Sequence, residues 1–273
     1  MKKLAPYLLL VILFAGAGWY ALTKTSEPIV EPVIPGAPPV IPPNSVQPPT
    51  TAADEAEPIF QLESDIEPQA IADEPLPELE ESDPQFDESL AELLGTDVVN
   101  QFITQSNVIS RLAPMLDSLS SRQVPPLLNP VKPAGGEMLV ESVGDRFVLS
   151  PDNYARYDGY IEVLQSTDSQ EWLNLYQVYQ PLFEQAWVDN GGEGSFTQRA
   201  VEVIDELLAT PDVPQPIYLT KPEAVYVFED PVLEAMPAGQ KILLRMGSAN
   251  AEVVKLKLAE IRAGLVAEPT SGE

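Results

Sequence analysis

The stretch Ser150 to Tyr160, SPDNYARYDGY, gathers three tyrosines, two aspartates and an arginine into a chain that holds no histidine and no cysteine. Arg156, Tyr157 and Asp158 stand side by side within it. A guanidinium offers a planar fork to a carboxylate, and a phenol and an acid beside it supply hydrogen bonds to a sugar, so these three are the candidate ligand-binding residues. The stretch also has a purely structural reading. Ser150 before Pro151 marks a helix start, Asp152 precedes Arg156 in the order that favours a helical ion pair, and Tyr154, Tyr157, Ile161 and Leu164 fall on one helix face. Asp158 before Gly159 restarts the helix as an N-cap. Every member therefore has a task in the fold before any ligand is invoked.

Elsewhere the composition removes more chemistry than it offers. Without histidine there is no Ser-His-Asp or Cys-His machinery and no histidine-bearing zinc site. Without cysteine there is no disulfide, thiolate or iron–sulfur ligation. Carboxylate pairs, a serine–lysine dyad, tyrosine and oxygen-held hard cations survive. Lys241 with Ser195 or Ser248 supplies the pieces of a serine–lysine mechanism but no recognised spacing. Lys241 and Arg245 stand near a helix end, where cations favour the dipole. The loop DNGGEGSF imitates a calcium loop at its first acid, yet Gly191 and Ala200 occupy positions that need oxygen ligands. It reads as a glycine-rich helix connection. No metal site or cofactor is expected, and the catalytic residues of any enzyme here are unknown from the sequence.

Acidic residues outnumber basic ones 42 to 15, for a net charge of -27. Polyanions repel one another, so nucleic acid is not an expected partner, and the pair of helices in AGQKILLRMGSANAEVVKLKLAEIR is not read as a DNA-binding motif. The N-terminus is the membrane partner. Lys2 and Lys3 precede a mostly apolar run from Leu4 to Leu22 that ends beside Trp19 and Tyr20, long enough to cross a bilayer as a helix. Ala15-Gly16-Ala17 resembles a cleavage site, but the apolar run continues past it, which favours a retained anchor over a signal peptide. Both readings export the rest of the chain. From Thr25 to Ser110 there is no lysine or arginine, and proline alternates with acids and aliphatics. Such a composition buries too little apolar surface to fold, and the roughly 60 residues before Phe86 act as an extended spacer with a reach on the order of 190 Å at most. PxxP spacings such as Pro32 to Pro35 also allow it to serve as a docking ligand.

The body that must position the chemistry starts near Phe86. SLAELL, TDVVNQFI and SRLAPMLDSL carry apolar residues three and four apart and predict two or three short helices, with Ser89, Thr96 or Asp97, and Ser110 as N-caps. EMLVESVGDRFVLS and PIYLTKPEAVYVF each predict a β-hairpin. Between them QEWLNLYQVYQPLFEQAW is helical, with Pro181 either kinking it or starting a second segment. FTQRAVEVIDELLATP is another helix, and Asp230-Pro231 is a capped start. Gly247 is expected to end one helix and Ser248 to cap the last, whose stripe is Val254, Leu258, Ile261 and Leu265. The expected fold class is mainly α with two small hairpins, a single multi-helix domain around one core. Its expected organisation is an anchor over 1–24, a disordered linker over 25–85, the helical domain over 86–267 and a disordered tail over 268–273.

SPDNYARYDGYIEVL, LYQVYQPLFEQAW, TQRAVEVIDELLATP and GQKILLRMGSANAEVVKLKLAEIR resemble, in that order, a bacterial membrane-anchored family known as domain of unknown function 3014. The resemblance implies a membrane span, a variable proline-rich spacer and this domain. It departs at NGGEGSF, where the family pattern implies a tyrosine–proline turn before the glycine. It brings no known activity and no site residues. The expectation is an inner-membrane, single-pass protein that presents a periplasmic interaction or ligand-binding domain to an envelope protein or a glycan. The alternative is a carboxylate-dependent periplasmic hydrolase acting on cell-wall material. Oligomeric state is not legible in the sequence.

Overall fold

The first helices are started by residues that local spacing does not reveal. The computed structural model describes residues 75–267 without 105, 136–137 and 223–224, so the anchor, most of the linker and the tail lie outside the described residues. A 3₁₀ turn at Leu79–Glu81 leads into α1 (Asp83–Leu94), α2 (Thr96–Phe102) and α3 (Val108–Ser118). Ser89, expected as a cap, lies inside α1, where its hydroxyl meets that of Tyr179 at 2.9 Å. Ser110 lies inside α3. The start of α3 is instead held from α1: the Asp83 carboxylate accepts the backbone N–H of Asn107 at 2.5 Å and of Val108 at 3.0 Å. Such a cap satisfies the orphan donors of a helix start as well as a local one does.

The remaining helices are α4 (Asp152–Ala155), α5 (Asp158–Ser166), α6 (Ser169–Asp189), α7 (Phe196–Leu208), α8 (Pro231–Glu234), α9 (Ala238–Arg245) and α10 (Ser248–Val266). α6 runs through Pro181 as one helix, so no second segment begins there. Asp168, Ser195 and Asp230 cap α6, α7 and α8 by accepting the N–H two residues on. Ser248 makes no capping bond. Gly247 precedes α10 at φ 87°, and Met246 ends α9. In the main core, α6 packs on α3 and α10, and α10 on α7. Trp172, Tyr179, Phe183 and Phe196 are buried there, with Phe183 stacked on Phe196 at 5.4 Å and Phe86 edge-on to Tyr179 at 4.8 Å. Burying such side chains contributes about 1.5–3 kcal/mol each.

The two expected hairpins form, as β1 (Val140–Val143) with β2 (Arg146–Leu149) and β3 (Tyr218–Thr220) with β4 (Val227–Phe228). They are not separate. β2 pairs antiparallel with β3, so one four-stranded sheet has the order β1-β2-β3-β4. Alternation along the strands sends Leu149, Leu219 and Phe228 inward and Arg146, Val148 and Tyr218 to the opposite face. The inner residues join Ile217, Leu233 and Leu244 in a second, smaller apolar cluster. Where chain length suggested one core, there are two clusters in one compact unit, mainly α-helical with a small sheet.

Candidate functional site

The Ser150 to Tyr160 stretch forms α4 and the start of α5, and its three candidates point three ways. Arg156 is half-buried, and its guanidinium donates to the carbonyls of Gly135 and Ala134 at 3.1 and 3.0 Å and to Asn153 Oδ1 at 2.9 Å. Tyr157 is buried in the main core; burial pushes its phenol up, while the nearby charges of Arg156 and Arg245 pull it down. Asp158 is exposed at the first position of α5. Neighbouring polar groups fasten the stretch to the rest of the fold. Asn153 Nδ2 donates to the Arg245 carbonyl at 3.3 Å. The Tyr160 hydroxyl donates to the Lys132 carbonyl at 2.7 Å, and burial pushes that phenol up to about 12.

The most unusual electrostatics lie next door, on α9. Its residues Lys241 to Arg245 are all buried, so this eight-residue helix has two cations on a face that meets protein. Lys241 Nζ donates to Glu234 Oε1 at 3.0 Å and to the Glu234 carbonyl at 3.2 Å. Arg245 is 2 % exposed. Its guanidinium lies 4.7 Å from the Phe228 ring centroid and 4.0 Å from Glu234 Oε2, and among the described residues Nε, Nη1 and Nη2 have no hydrogen-bond partner. Burial pulls its pKa down, opposed by Glu234 and then by Tyr157. Glu234 Oε2 also accepts the Phe228 N–H at 2.9 Å, which ties the carboxylate to strand β4. The spacing of Lys241 and Arg245 is visible in the sequence. The signal that they are buried is that Ile242, Leu243 and Leu244 leave α9 no polar face.

α8 also borders an open groove of about 340 Å³, which is lined by its Leu233 and by its cap Asp230. Pro214 and Pro216 form an apolar wall, and Arg146, Tyr218 and Glu229 line the sheet side. The Arg146 guanidinium lies 3.6 Å from the Tyr218 ring centroid and pairs with Glu229 at 3.5 Å. Sequence reasoning missed this groove because β2 and β3 meet only through long-range pairing. A second, polar opening of about 470 Å³ lies between Gln165 to Ser169 and the Lys257–Glu260 pair.

Other chemistry finds little geometry. Lys241 is bound to Glu234, and Ser195 donates to Glu184 at 2.9 Å, so no serine–lysine dyad is assembled from them. The pKa of Asp87 is raised by burial and then by the charge of Asp83, and its Oδ1 is buried with no hydrogen-bond partner among the described residues. Asp83 is held by the start of α3. Among the described residues no group of three acidic side chains is placed to hold a metal. In DNGGEGSF, Gly191 and Gly194 have positive φ and the Trp187 indole donates to the Glu193 carbonyl at 3.2 Å, as a structural connection requires.

No curated protein and no solved structure matches this chain. Residues 108–262, which hold α3 to α10 up to Arg262, the sheet, the cation pair and the groove, match one family; the chain belongs to the family described as protein of unknown function (DUF3014).

Proposed function

We propose that this chain is a single-pass inner-membrane protein holding a helical binding module in the periplasm on an acidic tether, with the groove beside Arg146 and Tyr218 as its contact surface. The apolar run Leu4 to Leu22 behind two lysines supports the orientation. Among the described residues no helix is long and apolar enough to cross a membrane. Membrane contact in this reading therefore rests on that N-terminal run.

The observation that carries the reading is the Arg146–Tyr218 stack, 3.6 Å apart, in the lining of a groove of about 340 Å³ that Pro214 and Pro216 also line. That volume is near the lower end of ligand pockets, roughly 300–1,000 Å³, and suits a few side chains better than a folded surface. Its occupant is an extended segment of an envelope protein with a basic residue beside apolar ones. Pro214, Pro216 and Leu233 meet the apolar residues, and the net charge of -27 favours a basic residue over an acidic one. The hydrolase alternative has less support. Its two acids would need to converge unengaged in a cleft, whereas Glu229 pairs with Arg146 and Asp230 caps α8.

The test is crosslinking in intact cells followed by pull-down of the full-length chain and of its Arg146→Ala and Tyr218→Ala variants. One envelope protein recovered with the wild type and lost with both variants is the expected result. Recovery of glycan alone, or of proteins that the variants retain, contradicts it.

A further inference from the structure

Two buried cations face a single carboxylate on the inner side of α8. Lys241 and Arg245 side chains are 5 % and 2 % exposed, against 30 % for Glu234, so the carboxylate is the outermost member and stands between solvent and the cations. Two positive charges against one negative leave one buried positive charge unbalanced. Buried charge is costly unless paired and hydrogen-bonded, and the Arg245 guanidinium has only a 4.0 Å ion pair with Glu234 and, among the described residues, no hydrogen bond to its three nitrogens. Glu234 cannot satisfy both cations. Its Oε1 reaches Lys241 at 3.0 Å, while its Oε2 is drawn to the Phe228 N–H at 2.9 Å and stops 4.0 Å from Arg245.

We infer that Arg245 and Lys241 form a carboxylate-binding site closed by Glu234, which admits the carboxylate of a small acid or of a peptide C-terminus when the Glu234 side chain swings outward. The chemistry selects the ligand class. The ligand takes the place of Glu234 and restores the one negative charge that its departure removes, a planar carboxylate matches the guanidinium fork, and the Phe228 ring backs the fork at 4.7 Å. The Glu234 carboxylate already in the site stands in for half of the ligand, as an internal competitor. This site does not depend on the groove or on where the domain resides.

The test is titration of the full-length protein, by calorimetry and by thermal denaturation, at fixed ionic strength against chloride. The probes are acetate, the dipeptide Ala-Ala, its C-terminal amide and inorganic phosphate. Acetate and Ala-Ala are expected to bind saturably and to raise Tm by roughly 5 °C at about a hundred times Kd, whereas the amide is inert. Response to acetate alone identifies a free small acid as the source, and a tighter response to Ala-Ala identifies a chain end. Arg245→Lys, which keeps the charge but loses the fork, is expected to bind at least about tenfold more weakly. Arg245→Met removes binding, and Glu234→Gln, by neutralising the competitor, tightens it. If Arg245→Met does not fold, the wild-type and Arg245→Lys titrations decide. No saturable carboxylate response in the wild type, equal binding of the amide, binding of phosphate in place of acetate, or unchanged affinity in Arg245→Lys overturns the assignment.

Discussion

Arg146 lies with its guanidinium carbon 3.6 Å from the centre of the Tyr218 ring, across the long-range strand pairing that joins the two hairpins. Both side chains belong to the sheet face opposite the small apolar cluster, so the stack is supported by backbone pairing and owes little to the core. Arg146→Ala is accordingly expected to cost only about 0.5–1 kcal/mol of stability, as for an exposed cation–π pair. Chemical denaturation checks the cost. A loss above that range would mean that Arg146 is a structural residue and not a free-standing contact.

Asp83 supplies the start of α3 from another helix, with two backbone N–H groups on one carboxylate. Asp83→Ala is expected to destabilise the domain by about 1–2 kcal/mol, the range for loss of a helix cap. Asp83→Asn, which keeps one acceptor oxygen, is expected to lose less. Equal losses in the two variants would argue that packing, not the cap, is what the substitution disturbs.

Gly95 and Gly247 share a backbone region that other residues avoid, at φ 89° and 87°. A Cβ at Gly95 meets nothing within 4 Å, whereas one at Gly247 lands 2.9 Å from the Tyr154 ring. Gly95→Ala is expected to cost about 1–3 kcal/mol from strain alone. Gly247→Ala is expected to cost more, and the excess is expected to vanish in a Tyr154→Ala background. A double-mutant cycle in urea measures it.

Burial, then the charge of Asp83, raises the pKa of Asp87. The folded protein therefore holds that proton more tightly than the unfolded chain does. Stability from this group is full below its unfolded-state pKa, near about 4, and is lost as pH rises through the raised folded value. Asp87→Asn, which does not ionise, is expected to melt above the wild type at neutral pH, with the gap closing below about pH 4. A gap of the opposite sign, or one that ignores pH, contradicts this origin.

Much of the fold is written in local pattern. The Gly144-Asp145 turn, the Asp230-Pro231 start and the stripe of Val254, Leu258, Ile261 and Leu265 each follow from neighbours in sequence, and they form as expected except that Leu265 is only partly buried. What sequence pattern missed is carried by distance. Asp83 caps a helix on another segment, β2 finds β3, and Ser89 turns from cap to partner of Tyr179 because α1 starts ahead of it. The site follows the same division. Arg156, Tyr157 and Asp158 were legible as a cluster, but adjacency in sequence sends them to a loop, the core and solvent. Lys241 and Arg245 were legible as a spacing, and only the packing of α9 against α8 and the sheet turns them into a buried pair.

The central claim, that the groove is the contact surface of an exported module, is tested most directly by a photo-crosslinking amino acid placed at Pro214 of the full-length chain in intact cells. Leu256, 61 % exposed on α10, serves as the control position. The expected result is one adduct with an envelope protein from Pro214, absent from Leu256 and lost when Tyr218→Ala is added. Adducts of equal yield from both positions, or adducts with cytosolic proteins only, would contradict it.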